Sequence, residues 1–96
     1  MDRATWEAGL RADGYAGPLD RRMEPGQTAP EHTHPFDARL LILDGELILT
    51  CEGESRRYGV GDCFELAANI PHAEAVGPQG ATYLVGRRPR QATAAA

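Results

Sequence analysis

The sequence predicts an all-β fold, a closed or nearly closed antiparallel sandwich or barrel behind one short helix. Three observations carry this. Eleven glycines and seven prolines are scattered through the chain, cutting it into segments of about 4 to 8 residues, a length that suits strands. Within those segments apolar and polar residues alternate with the period of two that a half-buried strand requires. The 96 residues, 42% of them hydrophobic, are enough to close the core of one ordinary domain.

The first segment is the helix. Thr5 can cap it, Trp6 and Leu10 share one face a turn apart, Asp13 ends it and Gly14 stops it. Leu19, Arg21 and Met23 then alternate along a strand that ends at the turn pair Pro25-Gly26. Glu31–His34 and Ala38–Leu43 are strand-like, broken or bulged at Pro35, and Asp44-Gly45 is the strongest short hairpin signal in the chain. Leu47–Cys51 is expected to pair back, Glu52-Gly53 to make a second hairpin into Ser55–Tyr58, and Gly59–Asp62 to turn the chain into Cys63–Leu66. After a loop at Ala67–Pro71 come strands at His72–Val76 and Thr82–Val85, separated by a turn at Gly77–Gly80. Seven or eight short strands result. They organise as a helical brace over 1–16, a barrel over 17–88 and a flexible tail over 89–96.

Charge and composition exclude several functions. A formal net charge of -4, with no basic stripe interleaved with aromatics, leaves no nucleic-acid footprint. The single basic cluster, "GRRPRQATAAA", reads as a frayed solvated tail. The charged start lacks the apolar centre of a signal peptide and no run reaches membrane-spanning length, which points to a cytoplasmic protein without a membrane partner. In that reducing compartment Cys51 and Cys63 are expected as free, buried thiols, and a Cys51–His72 nucleophile would need Cys51 to lie inside near the histidine. No GxSxG elbow, P-loop, GxGxxG or CxxC motif is present.

Chemistry concentrates in the three histidines. His32 and His34 are two apart, so on a strand they project from one face and can share an ion, and neutral imidazole is a common metal donor near pH 7. Five residues separate Gly26 from His32, and Gly45 stands where a first hairpin turns. This spacing resembles the first motif of the cupin family, glycine, five residues, His-x-His, three or four residues, glutamate, six residues, glycine. Gly61 and His72 are similar to the second motif, and fifteen residues separate the motifs. The resemblance implies an antiparallel double-stranded β-helix (jelly-roll barrel) with one divalent transition metal ion, zinc, iron, manganese or nickel, held by His32, His34 and His72.

The departures are specific. The family glutamate falls on Ala38 or Arg39, neither of which can ligate, and Ala67, Asn69 and Val76 replace proline, glycine and asparagine of the second motif. Asn69 still tolerates a left-handed turn. Glu74, two residues past His72, shares its expected inward face and is the candidate for ligation or acid/base work, with Tyr58 or Tyr83 behind it. Asp37 could replace the glutamate only through a bulge near Pro35, and Arg39 is expected to point outward and pair with an acid. Three neutral ligands leave the ion its full charge and an open position. What the resemblance implies is a metal-dependent dioxygenase or isomerase acting on a small organic molecule, or a non-catalytic metal-centred binding or sensing module. A homodimer is the expected assembly, with the helix as one contact.

Overall fold

The structure, a computed structural model, describes residues 1–90. The helix α1 spans Arg3–Ala12. Its cap is Asp2, not Thr5: the Asp2 carboxylate accepts from the Thr5 amide at 2.9 Å and from the Thr5 hydroxyl at 2.9 Å. Gly14 stops the helix as expected, with φ +80 and Tyr15 N–H closing back on the Leu10 carbonyl at 3.0 Å.

Six antiparallel strands follow: β1 (Ala16–Met23), β2 (Ala29–His32), β3 (Phe36–Cys51), β4 (Glu54–Tyr58), β5 (Cys63–Leu66) and β6 (His72–Pro89). The sheet runs β1-β6-β3-β4, with β2 added on β6 and β5 on β3. Two expected turns are therefore corrected. Asp44-Gly45 does not reverse the chain; it lies inside β3, where the pairing with β6 slips between Ile42 and Asp44 and again between Gly45 and Leu47. A Cβ on Gly45, whose φ is +74, would collide with the Gly80 carbonyl, so the Asp-Gly signal marks a bulge at a close backbone crossing. Likewise Gly77–Gly80 is an excursion within β6 between Val76, opposite Leu47, and Ala81, opposite Gly45. Long paired strands replace the predicted short ones because tertiary pairing outranks a local turn preference. The second hairpin is as expected, with Glu52 and Gly53 at φ 52 and 79 joining β3 to β4.

Alternation divides the residues of β3 and β6 between two faces. Leu41 and Leu84 point outward under α1, packed with Trp6, Leu10 and Tyr15. Met23, Ile42, Leu47, Leu49, Leu66 and Ala81 point inward and plug one end of the barrel. The other end is left to the histidines. Arg88, the last residue of the expected barrel and part of the basic cluster read as a frayed tail, is fixed in β6, bonded to Asp37 at 3.0 Å and to the Asp13 carbonyl at 2.9 Å. The tail expected over 89–96 lies, from residue 91, outside the described residues.

Candidate metal centre

Two strand ends and a loop bring the histidines together. His32 closes β2 directly opposite His72, the first residue of β6, so both rings fall on the inward face, 4.3 Å apart between centroids. His34 lies past the end of β2, off the strand that was expected to carry it. Its carbonyl accepts from the Asn69 amide at 2.7 Å, and Asn69 has the left-handed φ of 66 that its residue type allows. The His34 ring reaches 4.8 Å from His32 and 4.7 Å from His72. One nitrogen from each ring lies within 4.8 Å of the other two.

Backbone carbonyls set the tautomers. His72 Nδ1 is 2.8 Å from the Ile70 carbonyl and His32 Nδ1 is 2.7 Å from the Pro30 carbonyl. A carbonyl only accepts, so each Nδ1 carries the proton and each Nε2 keeps a bare lone pair. His72 is 1% exposed and its Nε2 has no hydrogen-bond partner among the described residues. An unpaired buried acceptor is unfavourable unless a ligand satisfies it. Burial, then the neighbouring His72 and His32 and the Arg87 guanidinium, push His34 below its ordinary value, favouring the neutral donor form. Three imidazole nitrogens within 4.8 Å of one another fit a divalent transition metal ion.

His32 and His34 border a cavity of about 140 Å³, lined also by Arg21, Phe36, Ala38, Leu40, Glu74, Tyr83 and Arg87. Glu74 Oε1 is 3.6 Å from His72 Nε2, but its carboxylate falls outside the cluster formed by the three histidines. Burial, and then the Glu74 carboxylate, push the Tyr83 phenol up. Tyr58, the other phenol considered, packs instead on Phe64 at 4.5 Å and does not line this cavity. A larger groove of about 470 Å³ lies outside the barrel between α1 and β5, but it gathers no convergent donors of this kind.

Several expected roles change. Asp37 shares the outward face of Arg39 and Leu41, and its carboxylate is taken by the Ala68 amide at 2.8 Å and by Arg88. Those two partners hold it below the usual carboxylate range, and it cannot replace the missing glutamate. Cys51 does face His72 across the β3–β6 ladder, with Sγ 3.6 Å from the Pro71 carbonyl. Both cysteines are free, yet Cys51 is only half-buried and Cys63 is exposed, because β5 turns that side chain away from the core.

The sequence pattern of the cupin domain matches residues 20–85, more than half of the chain. The chain belongs to the cupin family. Among solved structures, this cupin is similar to DMSP lyase DddQ from Ruegeria pomeroyi, at TM-score 0.68 and 33% identity, over 78% of this chain and 39% of that one. KdgF from Halomonas sp. matches at TM-score 0.64 and 22% identity, over 77% of this chain and 69% of that one. The cupin domain of an XRE family transcriptional regulator from Enterobacter cloacae matches at TM-score 0.67 and 18% identity, over 77% and 81%. The last two show a shared fold alone. No match is found among curated protein sequences.

Where other cupins place their glutamate, this cupin has Ala38 facing the cavity and Arg39 facing out, bonded to Asp13 at 2.7 Å and to Glu65, over the Tyr15 ring. Sequence reasoning missed two cavity residues, Arg21 and Arg87. For Arg21 the signal was present, since it lies between Leu19 and Met23 on the apolar register of its strand. For Arg87 it was hidden, because the last strand was expected to end at Val85, with Arg87 counted in the basic cluster that follows.

Proposed function

We propose that this cupin is a metal-dependent proton-transfer enzyme, an isomerase or lyase acting on a small organic molecule. His32, His34 and His72 are the ligands of one divalent transition metal ion, and Glu74 is the catalytic base. The observation that supports this most is the Glu74 carboxylate 3.6 Å from the partnerless Nε2 of His72, with the Tyr83 phenol on the same cavity wall. Bound there, zinc, iron, manganese or nickel supplies Lewis acidity, drawing charge from a ligand oxygen so that a neighbouring C–H becomes more acidic.

The chain's own residues do the rest. Glu74 accepts the proton at a carboxylate oxygen. Tyr83, kept protonated at neutral pH, donates its O–H to the oxygen on which negative charge grows. Leu40, Leu66 and Val85 keep water from the reacting face. The 33% identity to a DMSP lyase supports elimination, and isomerisation starts from the same removal of a proton from carbon. Free thiols at Cys51 and Cys63 support a reducing, cytoplasmic setting. The outer edges of β4 and β5, unpaired among the described residues, support a homodimer, which light scattering would check.

The test begins with elemental analysis of protein purified without a histidine tag, where near-stoichiometric metal is expected. Small carbon acids are then followed by NMR in deuterated water. Deuterium exchange at carbon is expected to fall about a hundredfold or more in Glu74→Gln with metal content retained. Oxygen uptake would make the enzyme a dioxygenase, and ligand-dependent melting shifts without turnover would make it a binding or sensing module. Less than about a tenth of an equivalent of any metal would remove the reading.

A further inference from the structure

Six arginines, Arg3, Arg22, Arg39, Arg56, Arg57 and Arg88, lie within 4.0 Å of a carboxylate. Arg21 and Arg87, the two that line the histidine cavity, have no carboxylate partner among the described residues. Strand register puts both there. Arg21 is opposite Tyr83 and Arg87 is opposite Ala38, so each shares the inward face of a cavity residue. The missing bulk at Ala38 leaves room above it.

Arg87 is also oriented. Its guanidinium lies 4.9 Å over the Phe36 ring, which is itself stacked on His34 at 4.8 Å and 4°. That contact engages the guanidinium on the ring side, and its N–H donors have no carboxylate among the described residues, so they are available to take one in a two-pronged bond. Among the described residues the Arg21 guanidinium makes one hydrogen bond, at 3.4 Å to the Asp20 carbonyl. Two unpaired guanidinium groups against the single carboxylate of Glu74 make the cavity positive on a chain whose net charge is -4.

We infer that Arg21 and Arg87 form a carboxylate anchor, and that the ligand of this cupin is a small carboxylic acid. Its acid group sits on Arg87 beside His34, with Arg21 closing the opposite side of the mouth. The inference rests on the proposed function for what happens at the histidines, but the anchor is a property of the protein's own cations. At about 140 Å³ the space is below the roughly 300 to 1,000 Å³ of drug-sized ligand sites, which limits the acid to a few heavy atoms.

The experiment compares malonate with malonamide, its uncharged isostere, by isothermal titration on the wild type, Arg87→Gln and Arg21→Gln, with metal content measured for each. Malonate is expected to bind, more weakly as salt rises, and malonamide at least about tenfold more weakly. Arg87→Gln is expected to lose about tenfold or more for malonate at unchanged metal content, and Arg21→Gln less. Equal binding of acid and amide, or unchanged malonate binding in both variants, overturns the anchor and leaves the proposed function standing. Protein isolated without metal would overturn the proposed function instead; malonate binding that Arg87→Gln weakens in that protein supports the anchor, and binding that it leaves unchanged overturns it.

Discussion

Leu40 and Leu41 are neighbours on β3, as Leu84 and Val85 are on β6, yet they serve opposite faces. Outward, Leu41 and Leu84 are 1% exposed beneath Trp6 and Leu10, and the charged side chains beside them, Arg39 and Arg88, are each held by a carboxylate of the chain itself. Inward, at the end of the barrel beyond its apolar plug, Leu40 and Val85 share a cavity with two arginines, a carboxylate, a phenol and the rings of His32 and His34. Hydrophobic burial and internal ion pairs account for the first face. The second gathers groups open to a ligand, the buried Nε2 of His72 without a hydrogen-bond partner among the described residues and the exposed guanidinium groups of Arg21 and Arg87, and that difference locates the function. Damage outside is therefore expected to alter stability and damage inside to alter ligand capture, each with little of the other.

His72→Asn tests the inner half with the largest effect. Asparagine keeps an amide donor near the position of Nδ1 for the Ile70 carbonyl and deletes the lone pair of Nε2. Changes around a metal ligand alone weaken affinity roughly 10- to 100-fold, so loss of the ligand itself is expected to cost at least about a hundredfold. Competition with a chromogenic chelator reads this, while circular dichroism is expected to keep its strand signal. Collapse of the fold along with metal binding would mean that the two faces are not separable.

The outer half has its own substitutions. Leu10→Ala removes a side chain that is 0% exposed and is expected to destabilise by about 2 to 5 kcal/mol in urea unfolding. Gly86→Ala acts on the same contact from the other side, since a Cβ there would stand 2.5 Å from Leu10 Cδ1, and overpacking of this kind is expected to destabilise by about 1 to 3 kcal/mol. The double variant should lose less than the sum, because the shortened side chain makes room for the added methyl. Metal affinity is expected to stay within about threefold of wild type in all three variants. A larger change would show that α1 braces the site as well as the sheet.

The two faces were not equally legible in the sequence. Trp6 and Leu10 at helical spacing and the inward leucines of β3 follow from periodicity alone, and the three histidines stand at recognisable spacings from Gly26 and Gly61. What escaped were the consequences of long-range pairing. Asp44-Gly45 looks locally like a hairpin, and only the approach of Gly80 turns it into a bulge. Once that is known, the alternation of β6 runs through Tyr83 and Val85 to Arg87, and a basic residue assigned to a loose end becomes part of the cavity. Asp37 was ambiguous for the same reason, because its face is decided by the pairing with Arg88.

The smallest expected effects separate the faces by pH, in protein stripped of metal by chelation. His34 is pushed below its ordinary value of 6.5, first by burial, so the unfolded chain takes up a proton there before the folded one does. Stability is then unaffected by His34 above about pH 6.5 and falls as pH drops below it. Asp2 belongs to the outer face, where the Thr5 amide and hydroxyl hold its carboxyl below its ordinary 3.8. Its contribution is complete above that value and is lost only as pH falls through the lower value of the folded state. Melting temperature plotted against pH is therefore expected to decline in two steps. His34→Phe is expected to remove the first step, and Asp2→Ala to shrink the second to the share of Asp37, while lowering the plateau at neutral pH by a few degrees through loss of the helix cap. If Asp2→Ala abolished the step near pH 6.5, the titration of the inner face would be tied to the helix, and the independence of the two faces would fail at the weakest interaction that joins them.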